Sequence, residues 1–401
     1  MEPIYKLYSS LTELEQRKTW AEIDLDALRQ NYRLVCQLVS GSKPAPRIMA
    51  VVKAEAYGHG APACVRTLLD EGCDFFAVSC IDEAVAVRAV CDGEGKPADI
   101  LVLGYTNPLH AAGLARFNII QTLLSEDYAH GLEQAAGAAG VSVRVHAALD
   151  TGMNRIGFAV HSEDEISASV SALLRVSGFP HLSLEGAFTH FSRADEEPFG
   201  EGDARTEQQA LRYRQVISAL EERGLHLAFH HACNSAATCR YPLEHMSGVR
   251  VGVLLYGAQP SQYVDLPLRP VMKLKTVISH LHKLLPGEAV SYGGSFTADS
   301  ERLIATLPIG YADGFLRAYS GAGVTVTTQC GDCTVPIVGR ICMDQCMIDV
   351  TDTGASLGDV VTLFGNTPRE LSDLAARAET VVYEPLCLIS SRVPRIYKGE
   401  N

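Results

Sequence analysis

The chain has 401 residues, 47% of them hydrophobic and 20% charged, with a formal net charge of -13. That length is too great for one ordinary core and predicts about two domains. The acidic balance excludes nucleic acid as the main partner, because phosphate binding needs clustered Lys and Arg. The opening lacks a basic start followed by an apolar stretch, and no run approaches the roughly 18 apolar residues that span a bilayer. The expectation is a cytoplasmic protein with no membrane partner. Its 12 cysteines are scattered rather than framed in regular spacings, and read mostly as small buried hydrophobes. Cys330, Cys333, Cys342 and Cys346 form a candidate zinc set. Cys342 and Cys346 lie in an apolar, strand-like stretch, so no metal is expected.

In chain order, the first helix expected is 26–39, capped by Asp24 or Asp26. Apolar runs then recur at 47–54, 74–79, 99–104, 118–124, 141–150, 182–190, 225–232 and 248–253. Helix-like segments lie between most of them. Residues 82–90 begin on an acidic cap, and 204–223 is the clearest amphipathic helix. Eight strands alternating with helices predict a parallel (β/α)8 barrel of the TIM type over residues 1–260, with its chemistry where the strands end. A Pro-containing connection, 257–270, follows. Residues 261–401 are rich in β-branched residues between Gly, Asp and Pro turns and predict a mostly-β C-terminal domain, with one helix at 370–378. Residues 1–20 could pack on that second domain.

Polar residues stand at the strand ends: Lys53 after two valines, Asp150, His190, and Asn234 with Ser235. A lysine at the end of an apolar strand is costly to bury as an ammonium. Desolvation lowers its pKa and makes it a good amine nucleophile toward an aldehyde. Taken alone, Lys53 could equally snorkel to solvent, His190 could be a satisfied core histidine, Arg250 could sit in a surface ion pair, and Asn234-Ser235 could be a helix cap.

The segment Val51-Val52-Lys53-Ala54-Glu55-Ala56-Tyr57-Gly58-His59-Gly60 resembles the pyridoxal-phosphate signature of the alanine racemases. The resemblance runs from about Trp20 to Tyr397, through the stretches 150–157, 189–195, 231–237, 249–252, 290–294, 308–314, 338–344 and 392–395. It implies pyridoxal 5'-phosphate carried on Lys53, and an amino-acid substrate. Two bases would serve the two faces of the substrate, Lys53 for one enantiomer and Tyr292 of the partner subunit for the other, so the site would exist only in a homodimer. Two are wanted because a single rigid group would tend to return the proton to the face it left. A free phenol ionises near about pH 10, so a tyrosine base needs a neighbour that favours its charged form. His190, linked to Arg250, is implied for that place. Arg250 would face the cofactor's ring nitrogen as a pure donor, which weakens the ring as an electron sink. Tyr57, Asn234, Ser235, Gly252 and Val253 would complete the cofactor site, mainly around its phosphate. Arg155 and the Met343 amide, flanked by Cys342 and Asp344, would hold the substrate carboxylate. Tyr311, Arg317, Arg340 and Asp195 would line the entrance.

Three positions depart from the family pattern. Ala148 stands where many relatives carry a carbamylated lysine beside the carboxylate-binding arginine, so Arg155 lacks that anion, and chloride is the expected substitute. Ser391 replaces a common tyrosine and predicts more tolerance of serine. Glu55 stands where Asn or Asp is usual. The reading that results is an alanine racemase supplying D-alanine for peptidoglycan. A serine or broad Ala/Ser racemase is the alternative, and a non-catalytic pyridoxal-phosphate-binding barrel or a related decarboxylase fits less well, because the chain carries both the β domain and Tyr292.

Overall fold

The computed structural model describes residues 18–399. The first strand, β1 (Thr19–Asp24), belongs to a sheet completed late in the chain. Eight later strands form a closed parallel barrel: β2 (Arg47–Val51), β3 (Phe75–Val78), β4 (Asp99–Val102), β5 (Ile120–Leu123), β6 (Val143–Asp150), β8 (Leu182–Phe188), β9 (Phe229–His231) and β10 (Gly248–Val251). The order is β5-β4-β3-β2-β10-β9-β8-β6, and pairing of β5 with β6 closes the ring. A two-residue strand, β7 (Phe158–Ala159), extends the end of β6. Each of the eight expected apolar runs contains one barrel strand. Every residue of β3 and β5 is buried, as expected where side chains pack inside the ring on one face and against helices on the other.

The surrounding helices are α1 (Leu25–Val39), α2 (Ala61–Asp70), α3 (Ile81–Gly93), α4 (Ala111–Arg116), α5 (Glu126–Ala139), α6 (Glu163–Ser177), α7 (Glu201–Glu222) and α8 (Ser235–Arg240). Asp24 caps α1, its Oδ1 accepting from the Ala27 amide at 2.8 Å. Helix α3 differs from expectation. Its N-cap is Cys80, without a side-chain bond, and Asp82 lies inside the first turn, where a negative charge meets the positive end of the helix dipole.

The second sheet has nine strands in the order β12-β15-β18-β17-β16-β19-β11-β1-β20. These are β11 (Met272–Val277), β12 (His280–Leu284), β15 (Arg302–Leu307), β16 (Gly323–Thr328), β17 (Gly331–Val338), β18 (Cys346–Asp349), β19 (Val360–Phe364) and β20 (Arg395–Lys398), with β1. Strands β13 (Ala289–Val290) and β14 (Phe296–Thr297) make a small separate pair. Thr19 and Trp20 pair with Thr276 and Lys275, so β1 lies in this sheet although it precedes the barrel in sequence. The rest of the expectation for residues 1–20 falls outside the described residues. Helix α9 (Pro368–Arg377) matches the expected one, and a five-residue helix, α10 (Tyr383–Cys387), was not foreseen. No helix of the described residues is long and apolar enough to cross a membrane.

All 12 cysteines are free thiols, but only five are buried, while Cys330 and Cys387 are exposed. Cys330 sits at the turn between β16 and β17, and its neighbours in sequence are turn residues, so no core forms around it.

Candidate active site

A cavity of about 550 Å³ opens at the C-terminal ends of the barrel strands. It is lined by Lys53, Tyr57, Arg155, His190, Ser235 and Arg250, with Asn234 and Gly252 beside them. Lys53 stands two residues past the end of β2. It is half-buried, and its ammonium makes no hydrogen bond or ion pair among the described residues. Burial, and then the charge of Arg155, hold its pKa below the usual lysine value.

The backbone after Lys53 is unusual. Ala54, Glu55, Ala56 and Tyr57 all have φ between 51° and 55°, a left-handed turn of four non-glycine residues. Each such residue costs roughly 1–2 kcal/mol, so the surroundings must hold the turn in place. The Ala54 amide donates to Glu83 Oε1 at 2.7 Å. His59 Nδ1 lies 2.9 Å and 3.0 Å from the carbonyls of Ala56 and Tyr57, and as the ring donor it closes the turn. Burial pushes His59 down to about 4, which keeps it neutral. Glu55, the residue without an assigned consequence, accepts from the Ala61 amide through Oε2 at 3.1 Å and so anchors the start of α2. Arg395, from β20, donates to the Gly58 carbonyl at 2.9 Å, and a Cβ on Gly58 would sit 2.3 Å from the Leu386 carbonyl oxygen. The lysine's loop is therefore clamped between the barrel and the C-terminal segment.

The turn delivers the Tyr57 hydroxyl toward Gly252, where a Cβ would lie 2.4 Å from it. Only glycine leaves that room. Burial pushes the Tyr57 pKa up, so the hydroxyl stays protonated as a donor. Ser235 Oγ accepts from the Gly252 amide at 3.0 Å, which leaves its own proton free. Asn234 caps α8 through Oδ1 to the Ala237 amide at 3.0 Å, so its helix-cap reading and its place in the cavity wall both hold. Val253 is buried behind the wall rather than in it.

Arg250 is buried, with no carboxylate partner among the described residues. Its guanidinium donates to the carbonyls of Thr189 at 2.7 Å and Ala232 at 2.9 Å, and meets His190 Nδ1 at 3.2 Å. It also sits over the Phe188 ring, 5.2 Å from the centroid. Burial pushes its pKa down to about 10, so it remains charged at neutral pH. Burial and Arg250 hold His190 well below the ordinary histidine value, in its neutral form. Arg155 is exposed and has no ion pair or hydrogen bond among the described residues, while the carboxylate of Asp150, also in the cavity wall, accepts from the amides of Gly152 and Asn154 at 3.1 Å and 2.9 Å. Ala148 lines the same cavity.

The remaining expected residues do not line this cavity. All but Asp195 lie on the β domain. Tyr292 is 68% exposed and follows Ser291, whose hydroxyl donates to the Arg340 carbonyl at 2.6 Å. The amides of Tyr311 and Ala312 donate to the carbonyls of Cys342 and Met343 at 3.1 Å and 3.0 Å. Asp344 pairs with Arg392 at 2.9 Å. Met343 is 54% exposed, and its own amide donates to nothing among the described residues. Arg317 is exposed in the neighbouring turn, and Asp195 lines a cleft between the barrel and the β domain with Gln259 and Tyr383. Ser391 is exposed and outside the cavity wall, so the expected extra room for serine is not found there.

Sequence reasoning missed Cys387, Tyr383 and Met153 in the cavity wall. The first two stand on α10, too short to show a helical period.

The N-terminal domain model of alanine racemases matches residues 23–260, and the C-terminal domain model matches residues 271–397. The chain belongs to the alanine racemase family. It is 39% identical to alanine racemase 1 of Clostridium acetobutylicum, over 95% of each chain. It is 40% identical to the alanine racemase of Desulfovibrio desulfuricans, over 95% of this chain and 98% of that one. Among solved structures, the alanine racemase of Clostridium difficile 630 superposes with a TM-score of 0.85 at 37% identity, covering 96% of both chains. That of Streptomyces coelicolor gives 0.86 at 33% identity, covering 96% and 99%. An alanine racemase is an isomerase that interconverts the two enantiomers of alanine, and the cavity around Lys53 is this chain's candidate site for that reaction.

Proposed function

We propose that the chain racemises alanine with pyridoxal 5'-phosphate carried on Lys53, in a homodimer where Tyr292 of the partner subunit completes each site. The observation that carries this reading is the Lys53 amine: half-buried, unpartnered and held below its usual pKa at the mouth of a barrel. The residues present fit the cofactor. The Tyr57 and Ser235 hydroxyls and the tight approach at Gly252 form a neutral donor cradle suited to a phosphate. Arg250 supplies a permanent cation for the ring nitrogen. Bound there, the cofactor supplies an electron sink that acidifies the substrate's α-hydrogen.

The protein's own groups do the rest. Arg155, without a competing carboxylate, binds the substrate carboxylate and fixes the α-carbon near Lys53. Lys53 Nζ, neutral at lower pH than a free lysine, takes or returns a proton on its own face. Tyr292 of the partner subunit serves the other face, with the Met343 amide as a second carboxylate donor. The 68% exposure of Tyr292 on a single chain fits a group that a second copy covers. The free thiols fit a reducing compartment, here the cytoplasm. The bacterial relatives fit a role in making D-alanine for peptidoglycan.

Purified protein given pyridoxal phosphate should turn yellow and racemise L-alanine in a chiral assay. Lys53→Ala should lose the colour and at least about 10³-fold of the rate. Wild-type protein that stays colourless, or a fully active Lys53→Ala variant, would end this reading.

A further inference from the structure

Behind Arg250 the barrel buries two histidines to which the reaction above gives no task. His231, at the end of β9, is 0% exposed, and His146, inside β6, is 2% exposed. Polar rings in a barrel interior cost free energy unless their nitrogens are satisfied, so each needs a defined partner. His231 Nδ1 lies 2.6 Å from Arg250 Nη1, and His231 Nε2 lies 3.1 Å from His146 Nδ1.

The direction of these bonds follows from one fact: a guanidinium can only donate. His231 Nδ1 therefore accepts, and its proton sits on Nε2. That N–H donates to His146 Nδ1, so His146 carries its own proton on Nε2. The opposite tautomer of either ring would set hydrogen against hydrogen. The scheme needs both rings neutral. Burial and Arg250 hold His231 well below the ordinary value, while burial and then Arg144 push His146 down to about 3.

The fold makes room for this pair. The β6–β8 ladder slips one residue between Val145 and His146, which sets Gly186 opposite His146. A Cβ on Gly186 would stand 3.0 Å from His146 Nε2 and 2.5 Å from the Phe229 carbonyl oxygen. His231 stacks on Phe188 at 4.8 Å between centroids, and His146 stacks on Phe229 at 5.8 Å. The consequence appears at the guanidinium. Nη1 serves His231 Nδ1 and the His231 carbonyl, and Nη2 serves the Thr189 and Ala232 carbonyls, with His190 close by. Among the described residues only Nε–H has no partner, on a side chain that lines the cavity.

We propose that His146 is a positioning residue for Arg250: by accepting from His231 it locks the tautomer that Arg250 requires, and so holds the guanidinium with Nε–H as its one free donor to the cavity. The effect on the reaction rests on the reading that the cofactor's ring lies against Arg250, but the tautomer lock does not.

Long-range 1H–15N spectra of the cofactor-free protein test the lock directly. Wild type should show His231 and His146 each protonated only on Nε2. In His146→Leu the His231 signals should become a mixture of tautomers, and in His146→Gln, which keeps an acceptor, they should stay single. In the holoenzyme, His146→Leu should lower kcat about tenfold with the alanine KM changed less than twofold, and His146→Gln should recover most of it. His231 protonated on Nδ1 in wild type overturns the proposal without any variant. So does an unchanged His231 tautomer in His146→Leu, or equal kcat loss in both variants. If the cofactor reading itself fails, the protein will not take up pyridoxal phosphate, yet the wild-type tautomers will remain as stated.

Discussion

The mouth of the barrel and the exposed face of the β domain carry the same kinds of residue in opposite environments. At the barrel mouth, Lys53, Tyr57, His190 and Arg250 are set into a cavity, and burial shifts the pKa of each. On the β domain, Tyr292, Tyr311 and Met343 stand 68%, 42% and 54% exposed. One region is already tuned for chemistry, and the other is assembled by backbone hydrogen bonds but still open to water. On the proposed reading, a phenol this exposed gains a base's environment only when a second copy covers it.

The sharpest way to break this comparison is to place the two halves on different chains. Lys53→Ala and Tyr292→Phe should each be almost inactive alone. After mixing and subunit exchange, statistical hybrids would carry one intact site in half of the dimers, so activity should return to about a quarter of wild type. No recovery, with hybrids shown to form, would mean that both residues serve the same chain.

A smaller effect tests the cation in the barrel. Arg250→Glu should lower racemisation by about 10²-fold and raise the share of turnovers ending in the pyridoxamine form, because a carboxylate favours a protonated ring nitrogen. Product analysis showing no rise would count against the assigned place of Arg250.

The buried histidines should also make the barrel the acid-sensitive region. His59 and His146 are held near about 4 and about 3 by burial. Unfolded, each would bind a proton near pH ~6.5. The unfolded state thus gains protons first, and stability falls as pH drops from about 6.5 toward 4, by up to ~1.4 kcal/mol per pH unit for each ring. Urea unfolding across that range should show the slope, and His146→Gln should flatten it. A slope unchanged in that variant would show that His146 binds protons equally in the folded and unfolded states, so that burial does not hold it neutral.

The smallest effect concerns Arg155 and Ala148. With no carboxylate paired to Arg155 among the described residues, exchange of chloride for gluconate should raise the alanine KM several-fold, a change of about 1 kcal/mol. Ala148→Glu should remove the salt dependence. A KM indifferent to halide in wild type would show that Arg155 needs no anion.

The sequence determined a good deal by itself. Eight apolar runs with helices between them specify the barrel, because strands covered on both faces must be apolar throughout, and that pattern survives without knowledge of neighbours. Lys53, His190 and Asn234 stood out because barrel chemistry collects at strand ends, whereas Arg250, inside β10, was singled out only by the family resemblance. What the sequence left open were features made by contacts between distant segments. The left-handed turn at Ala54–Tyr57 is held by Glu83, His59 and Arg395, and no local propensity favours it. Cys387 reaches the cavity only because α10 packs against the lysine loop. The one-residue slip that seats His146 opposite Gly186 is a property of two paired strands, not of either alone. Periodicity reports which face of a segment is buried; only the tertiary structure decides what it is buried against, and buried polar groups take their charge, tautomer and use from that partner.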